Sequence, residues 1–335
     1  MIDWAFGVTV IDPRGSEVTM QANGSAVSAV PFTHSAFLYD TDASFTTTLT
    51  TFVRDGLAHD EAVAVAAGPE HIALLRDSLA GDAAEVRFLP AHEWYVRPVR
   101  TIAGWAQLLK AGAMSGRPLT RLVGQTPLAH QYDSWVRFES ALNSALAGMP
   151  GHLLCPYDRR LLTAEQVTVT ARTHPRLHDG QWQDSADYES PERLLAELPE
   201  PPYPVAGEPI IAMPVTDEIP ELRALIRTRA ETEAWLPPDR VESLLLAVTE
   251  LATNGLRHGG KWRELRVWLT DDAVICEVAD DGQVPPGPLA GYLPPRPGKI
   301  GGMGLWLVQQ LSDAMAIRAA DGVTRARFAL RRTPA

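Results

Sequence analysis

The chain has only two cysteines in 335 residues, Cys155 and Cys276, and they lie far apart with no CxxC or local Cys/His cluster. That scarcity argues against a disulfide scaffold and against a structural zinc site. Positive charge is also in deficit: 30 Lys+Arg stand against 41 Asp+Glu, a formal charge of −11. Such a balance disfavours nucleic acid as a direct partner. No window holds the roughly 20 uninterrupted apolar residues of a spanning helix, so no membrane partner is expected. The opening MIDWAFGVTVIDPRG lacks the basic start and apolar run of a signal peptide. No GxxxxGK[ST] sequence occurs, which removes the usual phosphate cradle of P-loop ATPases. The expectation is a cytoplasmic protein. What is present is a 45% apolar chain, enough for two domains with a core each.

Residues 1–30 mix Gly, Ser, Thr and Asp and read as an N-terminal arm with one short strand at Phe6–Ile11. From Pro31 the pattern becomes regular. Short apolar runs at His34–Tyr39, Glu61–Ala67, Val86–Leu89 and Gly151–Cys155 read as strands. Helical periodicity occupies Phe45–Leu57, His71–Leu79, Thr101–Ala113 and Tyr132–Ala147. Strands alternating with helices predict an α/β domain with a mainly parallel sheet over residues 31–180. Residues 181–209, with prolines at 199, 201, 202 and 204, predict a Pro-rich linker. Residues 210–332 then predict an α+β domain. It has a strand at Ile210–Pro214, helices over Ile219–Ala234, Val241–Arg257 and Gly302–Ala314, and hairpins over 265–279 and 316–330. A mixed sheet covered by helices is expected.

Three patterns in this second domain carry chemistry. Glu250 and Asn254 fall one turn apart on the long helix, so a carboxylate and an amide share one face. Such a pair can position a divalent cation and a hydroxyl near phosphates; Mg²⁺ takes oxygen ligands and keeps several waters. Asp280-Asp281-Gly282 follows a strand, where Asp280 can accept from an adenine amino group and Gly282 lets the chain turn. Gly301-Gly302-Met303-Gly304 opens a helix, where backbone N–H groups can meet phosphate oxygens. Each pattern alone also fits a solvated helix face or a flexible turn. Their order and spacing leave room for one hairpin and then a lid loop rich in proline.

With those motifs, residues 210–331 resemble the Bergerat-fold (GHKL) ATPase domain shared by gyrase, Hsp90, histidine kinases and MutL. Glu250-xxx-Asn254 is similar to its N box, Asp280-x-Gly282 to its first glycine box, and Gly302-x-Gly304 to its second. Within that superfamily the region resembles the RsbW-type anti-sigma factor kinases. Residues 32–179 resemble the MEDS sensory domain, with His34 and Tyr39 near its start. The pairing resembles the RsbA-family regulators of actinobacteria.

The resemblance implies a RecA- or KaiC-like first domain without a P-loop, and ATP and Mg²⁺ as cofactors of the second. It implies Glu250 as general base, Asn254 as Mg²⁺ ligand and Asp280 as adenine reader. Gly282, Lys299, Gly302 and Gly304 would surround the nucleotide. A sigma factor and a STAS-type anti-sigma-factor antagonist would be the partners, the latter phosphorylated on Ser or Thr, with a homodimer as assembly. The alternative is a protein-binding switch, ATP-responsive or nucleotide-independent, without turnover. The first glycine box usually reads DxGxG, but position 284 is Val here. No phospho-accepting histidine module precedes the domain, which argues against a sensor histidine kinase. In the first domain, His34, Tyr39, His92 and Tyr95 are candidates for a small-molecule pocket, alongside a plain structural role. Cys155 reads most simply as a buried small residue.

Overall fold

The computed structural model describes residues 8–11, 17–20, 32–127, 132–198, 205, 207–282, 286–293 and 303–332. Strands β1 (Val8–Ile11) and β2 (Glu17–Met20) form an antiparallel pair in the N-terminal arm.

The first domain runs β3 (Thr33–Tyr39), α1 (Asp42–Ala58), β4 (Ala62–Ala67), α2 (Pro69–Leu79), β5 (Arg87–Pro90) and α3 (Ala91–Trp94). It continues with α4 (Pro98–Met114), β6 (Thr120–Gly124), α5 (Tyr132–Ala145), β7 (Gly151–Asp158) and α6 (Ala164–Thr173). It closes with β8 (Arg176–Asp179), β9 (Gln181–Asp184) and α7 (Pro191–Glu197). The seven strands form one sheet in the order β5-β4-β6-β7-β3-β8-β9, parallel except for β9. The α/β expectation therefore holds.

Both faces of this sheet are covered, which is why its central strands are almost continuously apolar. Along β3, Phe37 and Tyr39 join Phe45, Leu49, Val65 and Leu154 on one side. Ala36 and Leu38 join Trp105, Leu122, Phe138, Leu153 and Cys155 on the other. The two-residue period of the strand thus divides two cores.

The linker expectation needs correction over 181–198. Gln181–Asp184 pairs with β8, and Pro191–Glu197 is a helix whose Leu194 and Leu195 are buried. Ser190 caps that helix by accepting from the Arg193 N–H at 3.4 Å, and Pro191 occupies its first turn. The dense prolines begin only at 199, after this helix, so the polar stretch before them is free to pair and to fold.

The second domain contains β10 (Ile211–Pro214), α8 (Ile219–Thr232), α9 (Pro238–His258), β11 (Arg263–Leu269) and β12 (Ala273–Asp280). It ends with α10 (Met303–Leu311), β13 (Ala314–Ala320) and β14 (Val323–Arg331). Its sheet, in the order β10-β11-β12-β14-β13, is antiparallel at every pairing, not mixed. Tight turns join β11 to β12 and β13 to β14, and such turns connect only antiparallel neighbours. Leu244, Leu245, Val248 and Leu251 of α9 pack with Trp235 against Leu265, Val267, Cys276 and Phe328. This seats α9 on the sheet and leaves its opposite edge to form a site. Among the described residues no helix is long and apolar enough to cross a membrane.

Candidate functional site

Three segments converge at one edge of the second domain. The first is the C-terminal half of α9, where Glu250 and Asn254 are both half-buried. The second is the end of β12 with the turn after it. The Asp280 carboxylate Oδ1 accepts from the Gly282 N–H at 2.8 Å, and Asp281 Oδ1 accepts from the Trp262 N–H at 2.8 Å. The third is the first turn of α10, which carries Gly304.

The glycines here are close-approach residues. A Cβ on Gly304 would lie 2.7 Å from Glu250 Oε2 and 3.1 Å from Asn254 Nδ2. The backbone of α10 can therefore sit directly over the carboxylate and amide of α9 only without a side chain. A Cβ on Gly282 would lie 2.7 Å from Asp280 Oδ1 and 2.7 Å from the His258 carbonyl. The turn after β12 is thereby pressed against the end of α9. The structure brings together Glu250, Asn254 and Gly304, and sets Asp280 and Gly282 at the C-terminal end of the same helix. Lys299, Gly302 and Val284 lie outside the described residues.

The donor set suits magnesium and a phosphate chain. The Asn254 amide oxygen is a hard donor of the kind Mg²⁺ takes, and the Glu250 carboxylate one turn away can accept a proton. A helix start directly opposite offers N–H groups to an anion.

This edge is also where the first domain touches the second. Tyr292, in the segment 286–293 between β12 and α10, is 8% exposed within the core formed by α4, α5 and the sheet of the first domain. Its hydroxyl accepts from Arg137 Nε at 3.3 Å. Arg137 also donates to the Leu198 carbonyl at 3.1 Å. At the far end of α10, Arg97 Nη2 pairs with Asp313 Oδ1 at 2.6 Å. Arg100 donates to the Gln310 carbonyl at 3.1 Å, and Gln310 Nε2 donates to the Val99 carbonyl at 3.0 Å. The first domain thus holds the segment 286–293 that precedes α10 and the C-terminal end of α10.

The four residues proposed for a sensory pocket do not line one cavity. Tyr39 faces the α1 side, with ring centroids 5.0 Å from Phe45; burial pushes its phenol up. His92 is exposed beside Glu93. Tyr95 is buried among Trp105, Trp135 and Phe138. His34 lies on the α5 side of the sheet, where three residues that sequence reasoning did not join to it, Glu139, Cys155 and His174, surround it. Burial lowers the His34 imidazole to about 4 and pushes the Cys155 thiol well up. Burial opposes ionisation of Glu139, but its interactions with the flanking His174 and His34 outweigh it and hold the carboxyl below its usual range. A separate cleft of about 510 Å³ opens on the α1 side, lined among others by Asp55, Arg121, His152, Arg176 and Trp182. It contains none of the four candidates.

Comparison with known proteins agrees with this division. Residues 33–175 match the family model of the MEthanogen/methylotroph, DcmR Sensory domain (MEDS). Residues 216–329 match that of the histidine kinase-like ATPase domain. The chain therefore joins a MEDS sensory domain to an ATPase domain of the GHKL class. Among solved structures, the RsbU and RsbW domains of Rv1364c from Mycobacterium tuberculosis are similar at 20% identity, with a TM-score of 0.28. The match covers 37% of this chain and 33% of that one, so the chain spans about a third of the length of that relative. No curated protein matches the chain.

Proposed function

We propose that the protein is an anti-sigma factor regulator whose second domain binds Mg-ATP and phosphorylates a STAS-type antagonist on Ser or Thr. In this reading it works in the cytoplasm as a homodimer, and the same domain holds a sigma factor. The observation that carries the proposal is the close stacking of Gly304 over Glu250 and Asn254. The MEDS and ATPase pairing supports a regulatory role for the nucleotide.

Bound Mg-ATP would supply the transferable phosphoryl group and the cation that neutralises its oxygens. Asn254 would hold the cation through its amide oxygen. Asp280 would accept from the adenine amino group, with Gly282 keeping the turn open for the base. The α10 N–H groups, Gly302 and Lys299 would hold phosphate oxygens. Glu250 would take the proton from the attacking Ser or Thr hydroxyl as its oxygen bonds to phosphorus and ADP leaves. The first domain, a parallel sheet that we read as RecA-like but without a P-loop, would act as the sensor. A ligand there would change the ATP site only by preferring one arrangement of the Tyr292 and Asp313 contacts over another.

The test is transfer of labelled γ-phosphate from ATP to STAS-type antagonists from the same genome, with sigma-factor capture measured in parallel. Phosphorylation on Ser or Thr supports the kinase reading. Mg-ATP binding and sigma capture without transfer would replace it with the ATP-responsive switch.

A further inference from the structure

The first domain holds a side-chain cluster that the ATPase chemistry does not use. His34 on β3, Glu139 on α5, Cys155 on β7 and His174 just after α6 are all buried, and one potential ligand atom from each lies within 4.8 Å of the others. His34 Nε2 is 3.2 Å from Glu139 Oε2 and 3.4 Å from Cys155 Sγ. Glu139 Oε2 is also 3.5 Å from His174 Nε2 and 3.8 Å from Cys155 Sγ.

These separations match a closed tetrahedral shell. Bond lengths of about 2.0–2.3 Å to nitrogen, oxygen and sulfur put tetrahedral ligand atoms about 3.3–3.8 Å apart. Four of the six pairs already lie at or near that range, and the two that involve His174 with His34 and Cys155 lie within 4.8 Å.

The surroundings point the same way. His34 Nδ1 is 3.2 Å from Asn143 Oδ1, and His174 Nδ1 is 2.9 Å from the Thr170 carbonyl. With a proton on each Nδ1, both Nε2 lone pairs face the cluster; such outer hydrogen bonds orient metal-binding imidazoles. Asn143 is itself held by donating to the Thr173 carbonyl at 2.8 Å. The remaining carboxylate oxygen of Glu139 accepts from Thr126. His174 Nε2, fully buried, has no hydrogen-bond partner among the described residues and is aimed at this centre. A buried polar atom without a partner is costly, and a cation at the centre would satisfy it.

We propose that His34, Glu139, Cys155 and His174 form a binding site for one divalent transition-metal ion, zinc by its donor set. Two neutral imidazoles, a thiolate and a carboxylate carry two negative charges, which a divalent cation cancels in a dry interior. The thiol proton is released to solvent on binding, as deprotonation of a coordinating thiol requires. All four positions come from the protein, which is the pattern of a structural site. The ion would join two adjacent parallel strands to the two helices above them. Local spacing cannot reveal this site, because its members come from four separate elements.

The test uses the full chain, stripped with a chelator and titrated with Zn²⁺ and with Co²⁺. The expected result is about one equivalent of metal per chain, with a thiolate-to-cobalt charge-transfer band and tetrahedral visible bands for Co²⁺. C155S removes the charge-transfer band, H174A weakens binding by at least about tenfold, and C276A leaves both unchanged. Should either ligand variant lose its near-UV circular dichroism, the band in wild type and in C276A still decides. No tight binding by folded wild-type protein, or a band lost in C276A but kept in C155S, overturns the proposal.

Discussion

On the proposed kinase reading, Glu250→Gln is expected to remove phosphoryl transfer while nucleotide binding survives. The change keeps the length of the side chain and an oxygen near Gly304, but takes away the group that accepts the hydroxyl proton. General-base loss costs about 10²–10⁴-fold in kcat. Affinity for Mg-ATP stays within about threefold, because a base acts on the transition state and not on ground-state binding. Single-turnover transfer to the antagonist and calorimetry on the same variant separate the two quantities. A variant that transfers phosphate at the wild-type rate would remove Glu250 from the chemistry.

Asp313→Ala has the largest expected effect on stability. The carboxylate follows α10 and is 13% exposed. It pairs with Arg97 of the first domain at 2.6 Å and with Arg240 of α9 at 2.8 Å, and accepts from the Arg331 N–H at 2.7 Å. Its loss leaves two guanidinium groups, 14% and 15% exposed, without their shared counter-charge. Breaking a buried pair in this way costs about 3–5 kcal/mol. Chemical denaturation would show that loss as a lowered midpoint. Arg97→Ala removes only the limb that crosses between domains, so it loosens docking with a smaller effect on the midpoint. Proteolysis in the segment between 198 and 207 reads the docking. A midpoint unchanged in Asp313→Ala would mean that this carboxylate does not hold the two domains together.

The first prediction rests on two residues whose shared face on α9 was legible in the residue pattern, the second on contacts that were not. The apolar stripe of α9 marked its buried side and left Glu250 and Asn254 on the site side. The turns at Asp271-Asp272 and Asp321-Gly322 marked both hairpins, and the second has positive φ at Asp321 and Gly322. What was missed had weaker or conflicting local signals. Helix α6 alternates Val and Thr, a strand-like composition, yet a capping box of Thr163 and Gln166 starts it. The β8–β9 hairpin turns at Asp179-Gly180, with Gly180 at φ +76°, inside a stretch whose polarity read as linker. Strand β6 is five residues long and lies buried between two longer strands. The contacts of Tyr292, Gln310 and Asp313 with the first domain, like the cluster around His34, join residues remote in sequence. Only the packed chain brings them together.

The proposed function requires that the edge formed by Glu250, Asn254, Asp280 and Gly304 be a working nucleotide site. Calorimetry of Mg-ATP binding to the full chain, wild type beside Asn254→Ala, tests it most directly. Saturable binding of one nucleotide per chain is expected, with the variant weakened by about 30-fold or more through loss of a charge-assisted contact. Well-folded wild-type protein that takes up no Mg-ATP, or an Asn254→Ala variant that binds as wild type does, would contradict it.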